Sequence, residues 1–242
     1  MKRDVAVIPF GDDEIIIACD NSGAIGMKPL DAVPASYEMV AYYSFRVAWM
    51  ECVAAGAVPF SVVIQNFCGN NAWPLLMVGV KKGMKELGIN ELPITGSTET
   101  NFTLMQSVVG MTVLGKRRKK EEQSITDANQ LKVAIIGRPL VGSEVIDQKD
   151  EIAPLELFQW FCEQEEVMAV LPVGSKGVLV ELELLFAEQS LCVNSEIDMR
   201  KSSGPSTCFI VVYKQAINEK IEKKSGVWFH VVNIRNMKDC PN

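Results

Sequence analysis

Between Val7 and Gly26 the chain reads VIPFGDDEIIIACDNSGAIG. Asp12 and Asp13 stand before an apolar run and Asp20 follows it, with Gly11, Gly23 and Gly26 close by. Glu14 to Cys19 reads as a strand. Carboxylates bunched this tightly repel one another unless a cation sits among them. Hard divalent ions take oxygen ligands, and Mg2+ usually holds substrate phosphates as well. A strand whose end delivers a carboxylate can serve a catalytic site. The other reading of Gly-Asp-Asp is a solvated acidic turn, and the residues alone leave both open.

Three further groups could do chemistry. Glu51 lies inside the apolar stretch WMECVAAGA, either on a solvent face, which helical spacing favours, or buried with a partner. The stretch ITGSTETNF offers Gly96, Ser97, Thr98, Glu99, Thr100 and Asn101 in succession. Backbone N–H groups, hydroxyls and one carboxylate in a single turn suit phosphate and Mg2+ together; a hydrophilic β-turn is the alternative. The GxxxxGK[ST] phosphate loop is absent. In PVGSKG, Ser175, Lys176 and Gly177 stand at the start of an expected helix. They could hold a phosphate with the helix N-terminus, or form a surface turn. His230 is the single histidine, which argues against a multi-histidine metal site.

The elements that must position these groups alternate. A helix starts near Ser36, with Tyr42, Phe45, Val47, Trp49 and Val53 on its apolar side, and stops at Gly56 before Pro59. Phe60 to Phe67 is a β-branched strand, Trp73 to Leu87 a second helix and Met105 to Leu114 a strand ended by Gly115. This is an α/β pattern. The basic run KRRKKEE reads as a solvated linker in preference to a nucleic-acid patch. The second half continues with a strand over Lys132 to Ile136 and Ser143 as an N-cap. A helix over Pro154 to Val170 follows, then a strand, glycine turn and helix through LPVGSKGVLVELELLF. A polar turn feeds a strand over Ser202 to Val212, a charged helix spans Gln215 to Lys224, and Val227 to Ile234 is the last strand.

The 242 residues leave room for one large domain or two of ordinary size. Hydrophobic content of 48% and charged content of 22% fit a folded globular chain. A net charge of −6 implies no general affinity for nucleic acid or anionic membranes. Seven cysteines without CxxC pairs are expected to be reduced thiols in a cytoplasmic protein. The start, MKRDVAVIPFGDD, is not expected to act as a secretory signal. No uncharged apolar run reaches about 18 residues, so no membrane span is expected.

The order of motifs carries a resemblance. GDD is followed by an apolar strand ending in Asp. Then come a helix with an acidic residue before AAGAVP (Ala54 to Pro59), a strand, a helix, a Gly-x-x-Glu-Thr loop, and a strand ending in Gly. This resembles the PurM-like superfamily of aminoimidazole ribonucleotide synthetase, thiamine-monophosphate kinase and selenophosphate synthetase, best over residues 4 to 116. The resemblance implies a two-domain α/β (α+β) fold. Residues 1–116 would form an ATP- and Mg2+-binding domain that lends strands to a barrel shared in a homodimer. Residues 117–130 would be a linker and 131–242 a C-terminal α/β domain.

Carried onto this chain, Asp13, Asp20, Glu51 and Glu99 become metal ligands. Asp12 and Asp20 are catalytic candidates by location. Gly96, Ser97, Thr98, Thr100, Asn101, Ser175, Lys176 and Gly177 become nucleotide contacts. One departure is clear: the Asp-x-Ser-Asp-Gly of the kinases is Val173 to Gly177 here, with two carboxylates missing and a lysine in place of one. The implied activity is an ATP- and Mg2+-dependent small-molecule kinase. The α-ribazole kinase branch is suggested by GSTET, PVGSKG and GPST. The alternatives are a non-catalytic nucleotide-binding relative and a synthetase of the aminoimidazole ribonucleotide type.

Overall fold

The computed structural model describes residues 4–119, 131–186 and 191–236. The chain divides into two compact units, Arg3–Lys120 and Glu121–Asn242, with Met1–Lys2 assigned to the second.

The first unit runs β1 (Val5–Phe10), β2 (Asp13–Gly23), β3 (Ile25–Gly26), β4 (Val33–Pro34), α1 (Tyr37–Ala54), β5 (Val58–Asn66), α2 (Trp73–Glu86), β6 (Ile94–Thr98) and β7 (Val108–Arg118). Five strands form one sheet in the order β1-β2-β7-β5-β6. All its pairs are antiparallel except β5 with β6. Strand residues alternate between faces, and β7 alternates half-buried with buried from Val108 to Gly115. Ile16, Ala18, Val62, Ile64, Val109, Met111 and Val113 pack in one core with Val40, Phe45, Ala48, Leu76 and Val80 of the two helices.

The helix start expected near Ser36 is there, and the Ser36 Oγ accepts from the Met39 N–H at 3.2 Å. Glycine lets α1 and α2 approach closely: a Cβ at Gly79 would stand 2.2 Å from the Glu38 carbonyl oxygen. The opposite face of the sheet leaves Ile8, Phe10 and Phe60 exposed. Ile15, Ile17 and Leu114 on that face are only partly buried.

Two differences from the sequence reading bear on the site. The opening strand is longer than Glu14 to Cys19: Asp13 is its first residue and Asp20 lies within it, not just beyond its end. Lys116, Arg117 and Arg118 belong to β7, where they pair with Ile15, Glu14 and Asp13. The basic run therefore opens as a strand held by β2, and 120–130 lies outside the described residues.

The second unit runs β8 (Leu131–Ile136), α3 (Glu144–Asp147), α4 (Leu155–Cys162), β9 (Val167–Pro172), α5 (Val178–Leu185), β10 (Leu191–Asn194), β11 (Phe209–Lys214), α6 (Asn218–Ser225) and β12 (Phe229–Asn236). Its antiparallel sheet has the order β10-β12-β8-β11-β9. Val133, Ile135, Ile210 and Val212 of the sheet pack against Val178 and Leu182 of α5. The helix expected over Pro154 to Val170 ends at Cys162. The polar stretch Glu163 to Glu166 follows, and Val167 onward pairs with β11. Ser143 is not a side-chain cap; Glu144 Oε2 instead accepts from the Val141 N–H at 3.0 Å. Both units are mixed α/β, as the sequence pattern implies.

Candidate functional site

Asp20 stands on the helix-covered face of β2, in step with Ile16 and Ala18. The buried Ser44 of α1 hydrogen-bonds its carboxyl, as does the Asn21 backbone N–H. Burial outweighs both and pushes the Asp20 carboxyl up to about 6. Such a group is mostly ionised at neutral pH yet can hold a proton. Ser44 escaped the sequence reading; the signal was a hydroxyl two helical turns before Glu51, on the same side of an apolar helix.

The turn after β6 is built on a close approach. A Cβ at Gly96 would sit 2.1 Å from the Ile64 carbonyl oxygen and 2.8 Å from the Trp73 ring, so only glycine fits. Asn66, buried and also missed in the sequence, organises the turn. Its Nδ2 donates to the Gly69 carbonyl at 3.0 Å and to Thr98 Oγ1 at 3.1 Å. Its backbone carbonyl accepts from the Glu99 N–H at 2.8 Å. Glu99 folds over its own turn, with Oε1 accepting from the Asn101 N–H at 2.6 Å. Gly96, Ser97, Thr100 and Asn101 are exposed, so a turn of hydroxyls and amide groups faces outward. In register, Asp20 pairs with Met111, Met111 with Ile64 and Ile64 with Gly96. Three strand spacings of about 4.8 Å put Asp20 roughly 14 Å from this turn.

The other expected ligands lie elsewhere. Asp13 is seven residues from Asp20 on β2, about 23 Å along an extended strand, and the odd spacing turns it to the opposite face. Lys116 Nζ is 2.7 Å from Asp13 Oδ2, and Arg118 Nε is 3.4 Å from Oδ1. The Lys116 ammonium holds the Asp13 carboxyl below the usual carboxylate range. Asp12 is exposed, and its carbonyl accepts from the Lys119 N–H at 3.3 Å. Glu51 is half-buried on α1, about 10 Å beyond Ser44 along the helix axis. Beyond it, Arg117 pairs with Glu14 at 2.7 Å and donates to the Ala55 carbonyl, tying the end of α1 to β7.

Asp13, Asp20, Glu51 and Glu99 are thus not brought together. Among the described residues no three His, Cys, Asp or Glu side chains converge as metal ligands. Within this chain these four do not fit a single Mg2+.

In the second unit, Ser175 and Lys176 are exposed on the turn before α5. Gly177 takes φ +81°, and a Cβ there would stand 2.9 Å from the Arg200 carbonyl. The Gly174 carbonyl accepts from the Gly177 and Ser203 N–H groups. Ser203 and Thr207 are buried, with their hydroxyl oxygens 2.9 Å apart. The Thr207 hydroxyl donates to the Arg138 carbonyl and accepts from the Leu140 N–H. The stretch SSGPSTC, Ser202 to Cys208, is therefore held as a clasp between loops through the buried Ser203 and Thr207.

No protein-family model matches the chain, and no curated protein matches it in sequence. Solved structures do match. Thiamine monophosphate kinase from Aquifex aeolicus superposes with a TM-score of 0.65 at 9% identity, over 96% of this chain and 89% of that one. E. coli HypE, a hydrogenase maturation protein, gives 0.62 at 10% identity, over 90% and 79%. T. maritima PurL complexed with AMPPCP gives 0.62 at 14% identity; 95% of this chain is covered, but only 42% of PurL. These structures share one fold, and the chain has it: the PurM-like fold expected from the order of its motifs.

Proposed function

We propose that this chain is an ATP-dependent kinase of a small nucleoside-like substrate, with α-ribazole, giving α-ribazole 5'-phosphate for cobalamin lower-ligand salvage, as the first candidate acceptor. The observation that carries the reading is the PurM-like fold over 96% of the chain, in likeness to a structure described as a kinase. A PurL structure of the same fold is described as complexed with ATP. The acceptor rests on the sequence stretches GSTET, PVGSKG and GPST. The outward turn from Gly96 to Asn101 offers hydroxyls and amides to phosphate oxygens; in the second unit, Ser175, Lys176 and Gly177 are a separate candidate set. Phosphoryl transfer needs mainly positioning and charge neutralisation. Asp20, its carboxyl raised to about 6, is the candidate to take the acceptor's proton only for an acceptor seated against β2, roughly 14 Å from the turn.

The same reading includes a homodimer formed through the open sheet face. Ile8, Phe10 and Phe60 are exposed there, beside Ile15, Ile17 and Leu114, and such a face gains by burial against a second copy. Light scattering on the eluted protein that gives a monomer mass at micromolar concentration would overturn the dimer. Among the described residues no helix is long and apolar enough to cross a membrane. Cys19, Cys52, Cys68, Cys162 and Cys208 are free thiols, which suits a reducing cytoplasm.

A second reading is favoured by the dispersed carboxylates: a nucleotide-binding protein without turnover. ATP turnover with α-ribazole, with other nucleosides and with none separates the two. Turnover that needs a nucleoside supports the kinase, and ATP binding without turnover supports the second reading. Turnover only with an amide substrate would point to the synthetase class.

A further inference from the structure

An open cavity of the first unit lies not at the turn after β6 but at the far end of the sheet. It measures about 610 Å3 and is lined by Asp13, Gly56, Val58, Phe60, Lys116, Arg117 and Arg118. That volume suits a small organic ligand. We propose that it binds a small organic anion, a carboxylate or phosphomonoester on a flat apolar body, through Lys116 and Arg118.

Lys116 and Arg118 are two residues apart on β7 and so share a face. Both converge on one carboxylate, Asp13. Arg117, on the opposite face, is engaged by Glu14 and the Ala55 carbonyl. Three cations against two carboxylates leave one positive charge. The side chains of Lys116 and Arg118 remain 53% and 76% exposed, so their outer donors can reach a ligand. A guanidinium and an ammonium side by side suit a carboxylate or phosphate, the first by its fork and the second as a point charge.

The rest of the wall is apolar, although it faces water. Val58 is 74% exposed and Phe60 42%. The register of β5 on β7 shifts between Pro59 and Ser61, and this bulge takes Phe60 out of the pairing and leaves it on the cavity wall. Gly56 holds φ +79°, and a Cβ there would meet nothing within 4 Å, so the rim is open to a ligand. A cationic pair beside an exposed aromatic and an exposed valine matches an anion with an apolar body. The site shares Phe60 and the open sheet face with the proposed dimer, so a ligand here and a second copy compete for that surface; it gives Asp13 a different role from metal ligation, an internal carboxylate that a ligand anion competes with.

Calorimetry on the full chain at low salt tests this with phenyl phosphate, benzoate and the neutral benzyl alcohol. The wild type binds one of the two anions more tightly than the other, which names the group recognised, and binds benzyl alcohol at least tenfold more weakly. Replacing both cations (Lys116→Gln with Arg118→Gln) lowers affinity for the preferred anion by about tenfold or more, the loss expected for charge-assisted hydrogen bonds. Asp13→Asn raises affinity roughly 3–10-fold, because the competing carboxylate charge is gone. Lys116 and Arg118 lie at the surface and Asp13 is partly buried, and circular dichroism checks that each variant is folded. The proposal is overturned if the wild type binds neither anion, if the Lys116/Arg118 variant binds as the wild type does, or if Asp13→Asn weakens binding as loss of a metal ligand would.

Discussion

Asp13 and Asp20 sit on the same strand, and their carboxyls move in opposite directions. Asp13 faces the open side of the sheet, where Lys116 keeps it ionised. Asp20 faces α1, where burial raises it to about 6 despite two hydrogen bonds. The sign of each shift is set by what covers that face of the strand, not by how many acidic residues lie nearby in sequence. One end is suited to exchanging counter-ions with solvent, the other to holding a proton.

The largest test of this contrast removes the cover. Gly79→Leu drives a side chain into the Glu38 carbonyl and forces α1 away from α2. The expected cost is roughly 3 kcal/mol or more in urea unfolding, with the Asp20 pKa falling back toward 4. An unchanged Asp20 titration by carbon NMR in the folded variant would break the link between α1 and Asp20.

Next comes Asp20→Asn. In the fold this carboxyl keeps its proton up to about 6, against 3.8 without the burial. The folded state therefore holds more protons between those values. The group's contribution is full below about 4 and is lost as pH rises through about 6. Asp20→Asn should raise stability at pH 7 by roughly 1–3 kcal/mol and flatten the pH dependence between 4 and 6. A melt series in which the variant keeps the wild-type slope in that window would refute it.

Ser44→Ala is smaller. It removes a donor that favours the charged carboxylate, so the Asp20 pKa should rise further, at a cost of about 1 kcal/mol at neutral pH. A downward move of the titration midpoint would reverse the argument. Asp13→Asn should matter least: its partners are exposed cations, and the melting temperature in about 0.1 M salt should match the wild type. A shift as large as that of Asp20→Asn would erase the contrast between the two ends.

Much of the fold was legible because local signals agreed. Ser36 caps where its hydroxyl implied, Gly56 and Pro59 end α1, and Trp73 opens a helix that stops before Gly88. The carboxylate site was less legible because sequence proximity was read as spatial proximity. Strand period alone would have placed Asp13 and Asp20 on opposite faces, once β2 was known to include both. Where β2 ends could not be read from its own residues, since its length is set by pairing with β7 nearly a hundred positions away. The same pairing explains the misread basic run: KRR looks like a solvated block until Asp13 and Glu14 are seen across from it. Asn66 carried no signal and Ser44 only its helical spacing from Glu51, because a single buried polar residue is defined by what packs over it.

The Glu14–Arg117 pair spans 103 positions, and β2 has β7 along one side and the hairpin partner β1 along the other. During synthesis the hairpin leaves the ribosome first. At about 5–20 residues per second, it waits roughly 5–20 s before Arg117 can emerge. For that interval Ile16 and Ala18 have no strand on their β7 side, and that long edge of β2 lies open to any neighbouring nascent chain.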